Sequence, residues 1–144
     1  MSKTVIIYGS TTGNTETAAK WVREALSDGD VKADILNAAD IKADTIAAYD
    51  LIIFGASTWG QGEIQDDFLG LYESLTPKVL NGKRVAVFGC GDNDMFPDNF
   101  CQAVDMIEEK AKKCDAQIVA EAFKIDGDVD AYESDIKKWA SKLI

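Results

Sequence analysis

KTVIIYGSTTGNTETAA, residues 3–19, is the stretch from which the fold can be read. Val5, Ile6, Ile7 and Tyr8 form an unbroken apolar run, rich in β-branched residues, as in a strand covered on both faces. Gly9 ends the run. Ser10, Thr11, Thr12, Gly13, Asn14 and Thr15 follow, and helix-favouring residues begin at Glu16. A tight passage from a buried strand into a helix start gathers backbone N–H groups at the positive end of the helix dipole, a ready place for an anion. Four hydroxyls among those six residues add donors, and Gly9 and Gly13 let the backbone fold closely around a ligand. No Lys or Arg lies between Lys3 and Lys20, so the predicted cradle holds a phosphate with neutral donors alone. A P-loop is excluded because Asn14 stands where its Lys belongs, and the dinucleotide fingerprint breaks at Thr11. Taken alone, the segment also reads as an ordinary strand-to-helix turn capped by Ser and Thr.

Outward from this stretch, strand and helix patterns alternate. The spacing of Ala18, Val22, Ala25 and Leu26 predicts a helix over 15–28, stopped at Asp28-Gly29-Asp30. A weaker, alternating strand follows over 31–36, then short helical material over 38–49. Apolar runs at 50–56 and 83–90 predict two more buried strands, with a helix at 67–75 closed before Pro77. A long helix is expected over about 99–113, with Phe100, Val104, Ile107 and Ala111 inward. A last strand over 117–125 and a closing helix over 129–143 complete the chain. This alternation implies an α/β fold with a five-stranded parallel sheet in the order 2-1-3-4-5 and helices on both faces. The three most apolar strands are then central, and ligands bind beyond the strand ends where the order reverses.

The 144 residues suit a single domain spanning 1–144. With no basic, apolar leader and no apolar run of membrane-spanning length, the expectation is a cytoplasmic chain away from membranes. Net charge is −10, which repels nucleic acid and anionic lipid and attracts basic proteins. The three cysteines, Cys90, Cys101 and Cys114, have no CxxC spacing, and the chain has no His. Zinc sites and His-dependent nucleophilic catalysis are therefore not expected, and the cysteines read most simply as small packing residues.

Three loops leave the C-terminal ends of the central strands. The second contains Ser57, Thr58, Trp59 and Gly60. A Trp between small residues serves there either as a stacking platform for a planar ligand or as packing over the sheet end. The third, after Cys90 and Gly91, carries Asp92, Met95 and Phe96 ahead of Phe100 and Cys101. Met95 and Phe96 either cover the opposite face of the same ring or tuck into the core. Cradle and platforms together describe a phosphate joined to a planar heteroaromatic ring.

The chain resembles the short-chain flavodoxins, those of sulfate-reducing bacteria of Desulfovibrio type in particular, over essentially its whole length. The residues carrying the likeness are Ser10 through Thr15, Ser57-Thr58-Trp59-Gly60, Gln65-Asp66-Asp67-Phe68 and Phe88-Gly89-Cys90-Gly91-Asp92. Phe100-Cys101, Ala103-Val104-Asp105 and Ile125-Asp126-Gly127-Asp128 continue it. The resemblance implies non-covalent FMN and low-potential one-electron transfer by a monomeric carrier rather than an enzyme. It places the phosphate on Ser10, Thr11, Thr12, Gly13, Asn14 and Thr15, with Thr58 beside the ribityl phosphate and Trp59 on the ring. Backbone groups of Gly60, Asp92 and Cys101 would meet the ring edge. It also implies shuttling between semiquinone and hydroquinone. The partners implied are basic redox proteins: reductases, cytochromes, and hydrogenase- or oxidoreductase-type donors and acceptors. One departure is plain: the Tyr usual in the third loop is missing, and Met95 and Phe96 stand in a longer loop.

The three loops contain no Lys or Arg, while Glu63, Asp66, Asp67, Asp92, Asp94 and Asp98 lie on or beside them. A negative field of this kind opposes an anionic reduced flavin and attracts basic partners. Two other readings of the same fold are weaker. A phospho-receiver needs acidic residues after strand one and an Asp after strand three, where Tyr8-Gly9-Ser10 and Gly55-Ala56-Ser57 stand instead. A flavin-dependent NAD(P)H:quinone reductase is usually longer, and no basic residues are placed here to hold an NADP phosphate.

Overall fold

The computed structural model describes residues 3–9, 14–59, 63–64, 66–91, 102–126 and 129–143, with the backbone alone for 14, 57–59, 63–64, 66–67 and 91. Strand β1 (Thr4–Gly9) lies inside one sheet, next to its edge strand. It pairs in parallel with β2 (Ala33–Asn37) on one side and with β3 (Leu51–Trp59) on the other. β3 pairs in parallel with β5 (Arg84–Gly91), whose far edge takes β6 (Gln117–Ile118) and β7 (Phe123–Asp126). Counting β6 and β7 as one outer strand gives the expected 2-1-3-4-5 order. The weak strand is at the edge and the three apolar ones are central.

Strand periodicity sends alternate residues to opposite faces. Val5, Ile7, Ile52, Phe54, Val85 and Val87 pack on one side with Ile46 of α2 (Ala43–Ile46) and with Phe68 and Leu71 of α3 (Asp66–Ser74). Leu80 of α4 (Pro77–Leu80) and Val104, Ile107 and Ala111 of α5 (Gln102–Lys113) complete that layer. Ile6, Ile53, Ala86, Phe88 and Cys90 pack on the other side. There they meet Ala18, Val22 and Leu26 of α1 (Asn14–Asp28) and Ile136, Trp139 and Ala140 of α6 (Glu133–Ser141). The helical faces read from sequence are those buried; Phe100 lies outside the described residues.

Two expectations are corrected. The last strand is not continuous over 117–125. Val85 pairs with Ile118 and Phe88 with Phe123, so the outer strand carries two more residues than its partner between the two pairings and bows out. Trp139 Nε1 donates to the Glu121 carbonyl across this bow at 2.8 Å, which satisfies a group that the sheet ladder leaves aside. The closing helix begins as a 3-10 turn, Val129–Tyr132, before α6 takes over. The helix stop expected at Asp28-Gly29-Asp30 is where α1 ends, and within it the chain turns at Asp30. Asp30 has φ 63°, and its N–H and that of Val31 reach back to Ser27 and Leu26, in the manner of a left-handed helix C-cap.

Two glycines permit the close layering. Gly55 lies opposite Phe88 in the register, and a Cβ there would overlap the Phe88 ring. A Cβ at Gly89 would overlap the Ala56 carbonyl and the Val104 side chain of α5, so backbone and helix have no room to yield. Gly70, exposed in α3, has nothing within 4 Å of a Cβ. Gly89→Ala should therefore lower unfolding stability by about 1–3 kcal/mol, and Gly70→Ala should raise it by ~0.5–1 kcal/mol. Urea unfolding of the two variants checks both signs.

Candidate functional site

Parallel pairing brings the C-terminal ends of β1, β3 and β5 to one edge of the sheet. Gly9 lies beside Ala56, and Ser57 beside Cys90, so the three ends are level. β1 passes into α1, which packs on one face with α6. β3 leads by way of β4 (Glu63–Ile64) to α3, which packs on the other. The chain thus leaves adjacent strands toward opposite faces, and a crevice opens between them, as at the switch points of open α/β sheets.

Asn14 and Thr15 open α1, a helix of 15 residues. Only four residues, 10–13, separate Asn14 from the end of β1. The start of a long helix therefore sits at the crevice, where its dipole favours an anion. Thr15 is fully buried, and with Thr4 it is one of two buried polar residues among those described. Its side chain hydrogen-bonds the Cys90 thiol. Burial pushes that thiol up to about 11, the Thr15 hydrogen bond pulling the other way, so near neutral pH Cys90 is a protonated, unreactive thiol.

The segment expected as a loop over 57–63 is more regular than that. Ser57 still belongs to the parallel ladder, opposite Cys90. Thr58 and Trp59 continue β3 past the sheet and pair antiparallel with Ile64 and Glu63 of β4. The result is a short two-stranded ribbon, so the Trp59 backbone is fixed by strand pairing. Gly91 is the last residue of β5 and pairs with Asp126, the last of β7, which brings a carboxylate-bearing strand end alongside. Ser10, Thr11, Thr12, Gly13, Gly60, Asp92, Met95, Phe96, Phe100 and Cys101 lie outside the described residues. The described candidates, Asn14, Thr15, Ser57, Thr58, Trp59, Cys90 and Gly91, all fall on the three elements that meet at this edge.

Sequence reasoning passed over two features here. One is the β4 ribbon, for which Gly60-Gln61-Gly62 between strand-forming residues is a hairpin signal. The other is Tyr8, half-buried near the end of β1 opposite Asn37. Burial, with Glu16 and more weakly Asp40 nearby, raises its phenol above the ordinary range, while a hydrogen bond with Asn37 opposes the shift. Nothing in the alternation of the strand marks that environment. The one described cation in the first turns of α1, Lys20, pairs with Glu16 at 3.5 Å on the exposed surface. Chemically, the edge offers neutral donors and a helix start, suited to binding an anionic group without neutralising it.

The flavodoxin family model matches residues 6–139. A flavodoxin of Maridesulfovibrio salexigens is 49% identical over 146 residues, covering 99% of this chain and 97% of its own length. Among solved structures, a Streptococcus pneumoniae flavodoxin superposes with a TM-score of 0.88 at 29% identity, over 99% of this chain and 97% of that one. A Fusobacterium nucleatum flavodoxin bound to flavin mononucleotide has the same fold, with a TM-score of 0.83 at 16% identity and the same coverage of both chains. With the parallel sheet, the switch-point crevice and the helix start already in place, these matches settle the lineage: the chain belongs to the flavodoxin family.

Proposed function

We propose that this chain, as a single domain over 1–144, binds FMN non-covalently at the crevice between β1 and β3 and serves as a low-potential one-electron carrier. The observation that carries the reading is the meeting of the α1 start, the β3 ribbon and the end of β5 at one sheet edge, in a chain of this family. The donor set fits a phosphate ester: a helix start, hydroxyl-rich residues at 10–15, and no Lys or Arg between Lys3 and Lys20. In this reading Ser10, Thr11, Thr12, Gly13, Asn14 and Thr15 hold the phosphate. Thr58 lies beside the ribityl phosphate, Trp59 stacks on the ring, backbone groups of Gly60, Asp92 and Cys101 meet its edge, either Met95 or Phe96 covers the outer face, and Ser57, Cys90, Gly91 and Phe100 complete the set.

FMN supplies the redox chemistry, cycling here between semiquinone and hydroquinone, and the protein's part is to bind it and set its field. Neutral donors leave the phosphate charge uncompensated. Glu63, Asp66, Asp67, Asp92, Asp94 and Asp98 add to it along the same loops. Adding an electron to form an anion in that field is unfavourable, which keeps the second potential low. The same carboxylates, in a chain of net charge −10, draw basic faces of redox partners into short-lived complexes. A monomer in the cytoplasm, without a substrate site of its own, fits this traffic; among the described residues no helix is long and apolar enough to cross a membrane.

Stepwise anaerobic reduction followed by visible absorption tests the reading. A yellow protein passing through a blue neutral semiquinone is the expected course. A protein that stays colourless with added FMN would refute the ligand, and bleaching in one two-electron step with steady NAD(P)H oxidation would point to a reductase. Asp66→Asn, Asp67→Asn and Asp94→Asn should together raise the second-step potential, on the order of 20 mV for each charge removed, as read by redox titration. Electron transfer to a basic partner should slow as ionic strength rises from 0.01 to about 0.1 M, because the Debye length shortens to ~10 Å; stopped-flow rates independent of salt would contradict the charged docking face.

A further inference from the structure

Asn81 and Gly82 lie in the exposed turn that leads from α4 into β5. Asn81 is the one asparagine of the chain followed by glycine. The backbone nitrogen of a glycine, with no side chain to shield it, is the least hindered nucleophile that an asparagine amide can meet. Solvent reaches the pair freely, since a Cβ added at Gly82 would have nothing within 4 Å. The backbone is nevertheless held. Asn81 at φ −54° and ψ 125° and Gly82 at φ 76° are the two central residues of a type II turn. Lys83 N–H closes the turn by donating to the Leu80 carbonyl at 2.9 Å. Asn81 N–H donates to the Pro77 carbonyl at 2.8 Å, and Gly82 N–H to the Asp115 carbonyl at 3.1 Å.

We propose that Asn81 is a site of spontaneous covalent modification, passing through a cyclic imide to aspartate and isoaspartate, and that the turn around it gates the reaction. The Gly82 backbone nitrogen, having given its proton to solvent, attacks Asn81 Cγ. The new N–Cγ bond replaces the bond to Nδ2, which takes up a proton and leaves as ammonia. Water then opens the ring. Cleavage at Cγ gives aspartate, and cleavage at the main-chain carbonyl gives isoaspartate, with the chain running on through Cγ. In the folded turn two features withhold this step. The attacking nitrogen is tied through its hydrogen to Asp115, and at ψ 125° it points away from the Asn81 side chain. Ring closure turns ψ to strongly negative values that, at this φ, lie outside the allowed regions, so the turn must open before the bond forms. The isoaspartate product carries an extra main-chain atom, which displaces the three turn hydrogen bonds. β5 starts directly after them, where Arg84 N–H donates to Asp50 and Gln117 N–H to Lys83. The loosening therefore falls at the end of the sheet remote from the crevice.

Peptide mapping of the full chain, aged in mildly alkaline buffer, tests this without reference to any cofactor. Trypsin releases Asn81 within residues 79–83, and the aspartate and isoaspartate forms of that peptide separate from the parent by chromatography and mass. Conversion at Asn81 should run ahead of that at Asn14, Asn37, Asn93 and Asn99 and give both products. It should be slower than in the guanidinium-unfolded protein, on the order of 10–100-fold for a gate of a few hydrogen bonds. Hydrogen exchange of the Gly82 N–H, followed by NMR, should be protected by a similar factor. Another asparagine converting first in the folded protein would overturn the site. Equal rates in the folded and unfolded protein, or slowing without protection of the Gly82 N–H, would overturn the gate. Asn81→Asp, which supplies the charge of the product without the extra main-chain atom, should unfold at the same guanidinium concentration as the parent. The isoaspartate fraction, isolated by ion exchange, should unfold earlier; coincident unfolding curves would overturn the loosening of the turn.

Discussion

Parallel pairing of β1, β3 and β5 is the constraint on which everything else in the molecule depends. Each of these strands is buried on both faces, so each must be followed by a crossover that returns over the sheet. All strand ends of one polarity then lie at one edge, whatever the loops contain. Because β2 lies to one side of β1 and β3 to the other, the chain leaves β1 and β3 toward opposite faces, and the crevice follows from topology before any side chain is specified. The glycines at 55 and 89 serve this constraint, since they let Phe88 and α5 press onto the central strands.

How far the sequence discloses this architecture varies with where burial is decided. Val5 to Tyr8, 51–54 and 85–88 are legible because a strand covered on both faces needs an unbroken apolar run. The α1 and α5 faces are legible for the same reason, at helical spacing. The outer strand is not. Gln117 to Ile125 has a strand's composition throughout, and its break is completed by a hydrogen bond from Trp139 in a later helix, which no local pattern encodes. Asp30 shows the same limit at short range. Gly29 is the residue a helix stop is expected to use, yet the left-handed conformation falls one place later on an aspartate.

At the site, the three segments that converge were legible as strand ends, whereas the support beneath them was not. The hairpin signal at Gly60-Gln61-Gly62 is short and lies in a segment of small and polar residues, and the backbone pairing with Glu63–Ile64 shows that Ser57-Thr58-Trp59 continues β3. Cys90 reads as a small apolar residue in an apolar strand. Its hydrogen bond to Thr15 depends on a helix and a strand far apart in sequence meeting across one face of the sheet. Residue types announce which groups are present; which of them touch is a property of the packing.

The proposed charge arrangement carries a cost that the scaffold is built to offset. Holding a phosphate without Lys or Arg, in a chain of net charge −10, forgoes the strongest available attraction and leaves binding to aligned neutral donors. Alignment requires rigid supports, and the described parts of the site lie on them: a helix of 15 residues, a ribbon fixed by antiparallel pairing, and a strand held by partners on both sides. A cation in the cradle would tighten binding with less need for geometry, but it would also relieve the negative field that keeps the second potential low. In the proposed reading, neutral donors on stiff elements satisfy both demands at once.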